Sequence, residues 1–201
     1  AYELDNCLVG SEMCIRDRPH KTVVENIAFT LQIKGIKIEA IFAPEHGFRG
    51  TADAGENVKD QVDPKTGIQI ISLHGINKKP KVEQLNGIEI MIFDLQDVGV
   101  RFFTYLSTLH YVMEACAENS IPMIILDRPN PNLHYLDGPV MEESYTSFLG
   151  MHPVPIVYGM TIGEYAQMIN GERWLKSGIR CKLVCKFLHH FDQLGFESKV
   201  I

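Results

Sequence analysis

Apolar positions along the chain follow two rhythms, short β-branched runs and stripes at helical spacing, and their alternation predicts a mostly parallel sheet with helices on both faces. From Thr22, the residues Val23, Val24, Ile27, Ala28 and Leu31 recur at helical spacing, and Gly35 supplies a stop. Residues 38–42 read as a strand, and the alternating, isoleucine-rich stretch 68–73 as a second. Residues 82–85 make a short helix or turn, and Asn86-Gly87 breaks the chain before a third strand at 88–93. Leu106, Leu109, Val112, Met113, Cys116 and Ala117 form one apolar stripe, so 104–118 is an amphipathic helix. A fourth strand at 122–126 and a fifth at 154–157 are separated by a Pro-, Asn- and Gly-rich stretch whose length marks a functional loop. Thr161-Ile-Gly-Glu164 has capping-box spacing, which gives Glu164 a structural role at a helix start.

The two ends lack such rhythm. Residues 1–18 show neither period, and the string from Glu12 to Asp17 translates a nucleotide run resembling the transposase end used in making sequencing libraries. This segment is expected to be non-native and to stay outside the core. The expected domain is then 19–182. Cys181 and Cys185 fall in a further extended stretch, but the pattern fades after Cys181, and 183–201 is expected to be a truncated or non-native tail.

Composition narrows the function classes. With 45% hydrophobic and 22% charged residues, the 201-residue chain has an ordinary globular composition. The formal charge of -6, with basic residues scattered apart from Lys78, Lys79 and Lys81, leaves no footprint for nucleic acid or an anionic membrane. No apolar run approaches the length of a membrane span. The five cysteines show neither zinc-finger nor Cys-x-x-Cys spacing, and Cys116 reads as a small core residue. There is no Gly-x-Gly-x-x-Gly after a strand and no Walker loop, so no nucleotide cofactor is expected. Metal ligation by His46 with Asp97 is conceivable, but the only adjacent histidines, His189-His190, fall in the expected tail, so no metal centre is expected.

Four polar clusters each follow an apolar run: Ala-Pro-Glu45-His46-Gly-Phe-Arg49-Gly, Asp94-Leu-Gln96-Asp97-Val-Gly-Val-Arg101, Leu126-Asp-Arg128-Pro-Asn130-Pro, and Tyr158-Gly-Met-Thr161-Ile-Gly-Glu164. Right-handed crossovers place such loops at one sheet edge, where α/β proteins bind ligands. Glu45, between a strand and a glycine turn, suits a general acid, because partial burial favours the protonated form of a carboxyl group. Glu56, eleven positions on, is a second carboxylate, and paired carboxylates are what glycosidic cleavage commonly needs. It could equally pair with Arg49 as a solvated loop acid. Asp94, Gln96 and Asp97 suit hydrogen bonds to sugar hydroxyls, although Asp97 could instead pair with Arg101 and hold the Gly99 turn. Arg128 and Asn130 are fixed in direction by Pro129 and Pro131. Tyr105 lies in the first turn of the long helix.

The segments Phe42-Ala-Pro-Glu-His-Gly-Phe-Arg-Gly50, Ala54-Gly-Glu56, Phe93-Asp-Leu-Gln-Asp-Val-Gly-Val-Arg-Phe-Phe-Thr-Tyr105, Leu126-Asp-Arg-Pro-Asn-Pro131, Gly138-Pro139, Ser147-Phe148 and Tyr158-Gly-Met-Thr-Ile-Gly-Glu164 resemble the N-terminal domain of the exo-lytic β-N-acetylmuramidases, the NamZ-like proteins. The match runs from about Thr22 to Lys182. The resemblance implies a Rossmann-like domain, a smaller C-terminal domain and an active site in the cleft between them. It implies removal of terminal N-acetylmuramic acid from the non-reducing ends of peptidoglycan fragments without a cofactor, in a secreted or periplasmic bacterial enzyme. Glu45 is then the catalytic carboxylate and Glu56 its partner. His46, Arg49, Asp94, Gln96, Asp97, Arg101, Tyr105, Arg128 and Asn130 would line the sugar site. Two departures from the family are expected: a first strand missing where the patternless segment sits, and no C-terminal domain beyond Cys181. The rival class is a non-catalytic muropeptide- or sugar-binding module on the same edge. An esterase or amidase is disfavoured, because no Gly-x-Ser-x-Gly elbow is present and no Cys stands beside a base.

Overall fold

The computed structural model describes residues 37–45, 60–64 and 66–186 in full, and residues 6–10 and 187 by backbone alone. Seven strands make one sheet: β1 (Asn6–Gly10), β2 (Ile38–Ala43), β3 (Gln61–Val62), β4 (Gln69–Ser72), β5 (Ile90–Asp94), β6 (Met123–Asp127) and β7 (Leu183–Phe187). Their spatial order is β3-β4-β2-β1-β5-β6-β7, and every pairing is parallel except that of the two-residue edge strand β3 with β4. The two described helices are α1 (Tyr105–Glu118) and α2 (Ile162–Gly171). The helix expected from Thr22 lies outside the described residues.

Three expectations are corrected. Residues 1–18 were expected to stay outside the sheet, and its first strand to be missing, yet Asn6–Gly10 is the central strand, paired with β2 on one side and β5 on the other. A five-residue strand enclosed by two neighbours needs no alternation, so Asn-Cys-Leu-Val-Gly carries no period to detect. Met13 and Ile15 lie outside the described residues. The strand expected at 154–157 is not one: Val157 makes only isolated antiparallel bridges to Val100 and Asp137. Pro153 and Pro155 explain this, since neither has an N–H for a ladder. The tail expected from 183 begins instead with β7, which pairs with the whole of β6.

Alternation along β2 shows how the sheet is held. Ala40 and Phe42 enter one apolar cluster, and Ile41 and Ala43 enter a second with Ile38, Ile68 and Ile70. A parallel strand buried on both faces reads as a continuous apolar run for this reason. Both described helices join the larger cluster, where Phe42, Met91, Phe93, Leu109 and Met113 are fully buried. Burial of each such side chain contributes about 1.5–3 kcal/mol.

Helix α1 forms because Leu106, Leu109, Val112, Met113 and Cys116 share one face, and it ends where the Asn119 side-chain Nδ2 donates back to the Ala115 carbonyl at 2.8 Å and Ser120 turns left-handed at φ 57°. Its polar side is covered as well. Ser107 donates to the Phe148 carbonyl at 2.5 Å, and Glu114 accepts from Lys79 at 2.6 Å and from the Lys176 amide at 2.9 Å. The register places Ala43, Gly10 and Asp94 near one level at the carboxyl ends of β2, β1 and β5. Their following loops therefore leave from one edge. Among the described residues, no helix is long and apolar enough to cross a membrane.

Candidate functional site

Glu45 stands two residues beyond β2, half-buried after the buried Pro44. The Thr104 hydroxyl, at the start of α1, donates to Glu45 Oε2 at 3.4 Å. The first polar loop is thereby tied to the third element of this edge, 59 positions along the chain. Thr104 carries no signal of its own in the sequence beyond its place before the apolar stripe. His46, Arg49 and Glu56 lie outside the described residues.

Asp94, the last residue of β5, is fully buried and forms an ion pair with Arg128, just beyond β6. Burial pushes its carboxyl up from the ordinary carboxylate range against the opposing pull of the Arg128 charge and hydrogen bond. Asp97 accepts from the Gly99 amide at 3.0 Å and from the Tyr158 hydroxyl. Burial pushes Asp97 up as well, and these donors only partly offset it. Tyr158 moves up in turn, first through its own burial and then through the Asp97 charge. Asp94 Oδ2 and Asp97 Oδ1 are buried and have no hydrogen-bond partner among the described residues. Charge at this edge is therefore held in a dry setting, where each remaining partner counts for more.

The expected alternative of an Asp97–Arg101 pair is half corrected. Asp97 does hold the Gly99 turn, but Arg101 donates to the carbonyls of Pro139 at 2.6 Å and Val154 at 2.8 Å, and so staples the long loop. Gln96 donates to the carbonyls of Asp97 at 2.8 Å and Pro129 at 3.1 Å. Asn130 donates to the Met160 carbonyl at 2.9 Å and accepts from the Asn132 amide at 2.8 Å. Gly99, at φ 77°, leaves no room for a β-carbon against the Asn130 side chain, which explains glycine there. Tyr105 points into the core, 1% exposed and edge-on to Phe103. The structure thus brings Glu45, Asp94, Gln96, Asp97, Arg128 and Asn130 to one edge, but fixes most of them to each other and to backbone. Tyr105 and Arg101 serve the frame.

Asp127, the last residue of β6, was passed over in the sequence. It accepts from the Thr161 hydroxyl at 2.7 Å and the Gly163 amide at 2.9 Å, binding the start of α2 to the end of β6. Burial pushes this carboxyl up against those hydrogen bonds. The capping box is formed as its spacing predicts: Glu164 accepts from the Thr161 amide at 2.8 Å and its own amide donates to the Thr161 hydroxyl at 3.2 Å.

Comparison with known proteins adds the following. A family profile described as exo-β-N-acetylmuramidase NamZ, N-terminal, matches residues 13–195. The peptidoglycan β-N-acetylmuramidase NamZ of Bacillus subtilis is 51% identical over 164 residues, which are 81% of this chain and 39% of the relative. Two crystal structures of DUF1343 family proteins from Bacteroides fragilis superpose with TM-scores of 0.75 and 0.76 at 40% and 36% identity, each over 90% of this chain and over 46% and 44% of theirs. The chain therefore spans less than half the length of each of these relatives.

Proposed function

The chain belongs to the NamZ N-terminal family, and from that premise we propose that it forms part of an exo-acting β-N-acetylmuramidase that releases terminal N-acetylmuramic acid from the non-reducing ends of peptidoglycan fragments. The fold in this reading is Rossmann-like, with helices on both faces. Its support is the strand order: with the parallel strands numbered along the chain, they lie 3-2-1-4-5-6, the order of dinucleotide-binding sheets, whose ligands sit beyond the carboxyl ends.

One observation carries the catalytic part. Glu45 stands half-buried just beyond the carboxyl end of β2 with a hydroxyl donor facing it. As general acid, it gives its proton to the glycosidic oxygen while the bond from that oxygen to the anomeric carbon breaks. Glu56 supplies the second carboxylate, and the separation of the two carboxyl groups decides between direct attack by a water and a glycosyl-enzyme intermediate. His46 and Arg49, which follow Glu45 closely in sequence, are assigned to the sugar in the same reading. Gln96 and Arg128 retain exposed surface for it, while Asp94, Asp97, Arg101, Asn130 and Tyr105 keep the edge rigid. In this reading the enzyme is secreted or periplasmic, as suits a peptidoglycan-derived substrate.

The test uses the longest open reading frame that carries this chain and measures N-acetylmuramic acid released from a chromogenic muramide or a defined disaccharide. Glu45→Gln keeps the shape but removes the titratable proton, and is expected to lower kcat by about two to four orders of magnitude with sugar binding retained. Undiminished release would move the role away from Glu45. Binding without release in the wild type would favour a sugar-binding module.

A further inference from the structure

Thr104 is the first residue before α1, where a threonine hydroxyl ordinarily accepts from a backbone amide of the helix's first turn. It does not do so here: Thr104 has αR backbone angles, φ -66° and ψ -8°, and makes no side-chain cap. Thr161, before α2, has extended angles and accepts from the Glu164 amide. Thr104 Oγ1 instead donates to Glu45 Oε2 at 3.4 Å. The first turn of α1 contains no acidic residue of its own, and the Glu45 carboxyl group reaches this helix start from another loop. A hydroxyl withdrawn from its usual partner and turned onto one carboxylate oxygen fixes that carboxylate's direction.

We propose that Thr104 is a positioning residue for Glu45: its hydroxyl holds one oxygen of the carboxyl group and so sets the direction from which the acid meets the glycosidic oxygen. This rests on the reading of Glu45 as the catalytic acid. The length of the hydrogen bond fits a site without substrate, since such contacts are long in the free state and tighten in the reacting complex. The backbone supports the placement from both sides. Thr104 is rigid as the start of a fourteen-residue helix buried along its length, and Glu45 follows a strand enclosed by two neighbours.

The experiment compares Thr104→Ser and Thr104→Val in the same reading frame, with muramide hydrolysis and thermal unfolding measured for each. Serine keeps the hydroxyl, and kcat is expected to stay within about threefold of wild type. Valine keeps the shape and loses the hydroxyl, and kcat is expected to fall about tenfold to a hundredfold with KM nearly unchanged, because a misdirected acid weakens the reacting state rather than binding. In Glu45→Gln the Thr104→Val change is expected to cost little more, since there is no longer an acid to direct. If Thr104→Val unfolds, Thr104→Ala set against Thr104→Ser isolates the hydroxyl. Equal kcat for the hydroxyl-bearing and hydroxyl-lacking variants, with Glu45→Gln inactive, overturns the positioning role and leaves the hydrolase reading intact. Full activity of Glu45→Gln, or a wild type that releases no sugar, overturns the functional reading itself and the proposal with it.

Discussion

Arg128 illustrates how a polar residue read as part of a ligand site can also hold the frame. Its position after β6 and before Pro129 puts it at the edge expected from the sequence, but its guanidinium is committed to Asp94, which is wholly buried. Removing one partner of such a pair leaves an uncompensated charge, so Arg128→Met is expected to destabilise the fold by about 3–5 kcal/mol, or to leave Asp94 protonated at a smaller cost. Denaturant unfolding near neutral pH checks this, and Asp94→Asn in the Arg128→Met background should recover part of the loss. A stable Arg128→Met protein that has lost only sugar affinity would show that the arginine serves the ligand alone. The same lesson holds for Asn130 and Gln96, each of which also donates to a backbone carbonyl 30 or more positions away. Residue type and spacing announce a polar edge, but the choice between ligand and frame depends on which carbonyls the fold brings within reach. Thr104 is the opposite case, a residue with no sequence signal that reaches the candidate acid.

Elements with a strong period were legible, and those held by context were not. The stripe from Leu106 to Ala117 gave α1, and the capping box gave the start of α2, because both signals are local. β1 was missed, since it is short and made by its neighbours' hydrogen bonds, whereas the extended stretch read at Cys181 and Cys185 overlaps β7. Residues 154–157 were misread because an apolar stretch resembles a strand even where Pro153 and Pro155 remove ladder donors. The contacts of α1 with the long loop were also invisible. His110 Nδ1 and His152 Nε2 lie 2.9 Å apart, and His152 Nδ1 lies 3.1 Å from the Tyr165 hydroxyl with Trp174 stacked on the ring. Glu114, paired with Lys79, lies 3.7 Å from the other side of His110. Burial holds both imidazoles below the usual histidine range, with His152 lowered from 6.5 to about 3. A folded-state value below the unfolded one means that only the unfolded chain takes up these protons as pH falls. The stability contributed is complete above about pH 6.5 and declines from there towards pH 3. Between pH 6.5 and 5 the unfolding free energy should therefore fall by up to about 1.4 kcal/mol per pH unit for each such histidine. His152→Phe should flatten that slope, as urea unfolding across the range would show, and an unchanged slope would mean that His152 is not held neutral.

At the scale of the molecule, the carboxyl ends of β2, β1 and β5 share a level, and the loops after β2, β5 and β6 gather the polar groups at one edge. That convergence was legible because each cluster follows an apolar run in a parallel set, whose right-handed crossovers leave little choice of edge. Which side chains meet the sugar was not legible, since it depends on loops whose conformation no local period encodes. A crystal structure of the longest open reading frame in its Glu45→Gln form, soaked with an uncleaved N-acetylmuramic acid disaccharide, locates the reacting bond. The glycosidic oxygen is expected within hydrogen-bond reach of residue 45, roughly 2.6–3.2 Å, beyond the carboxyl ends of β2 and β5. A disaccharide bound at another face, or one whose glycosidic oxygen lies away from residue 45, would contradict the assignment of the acid.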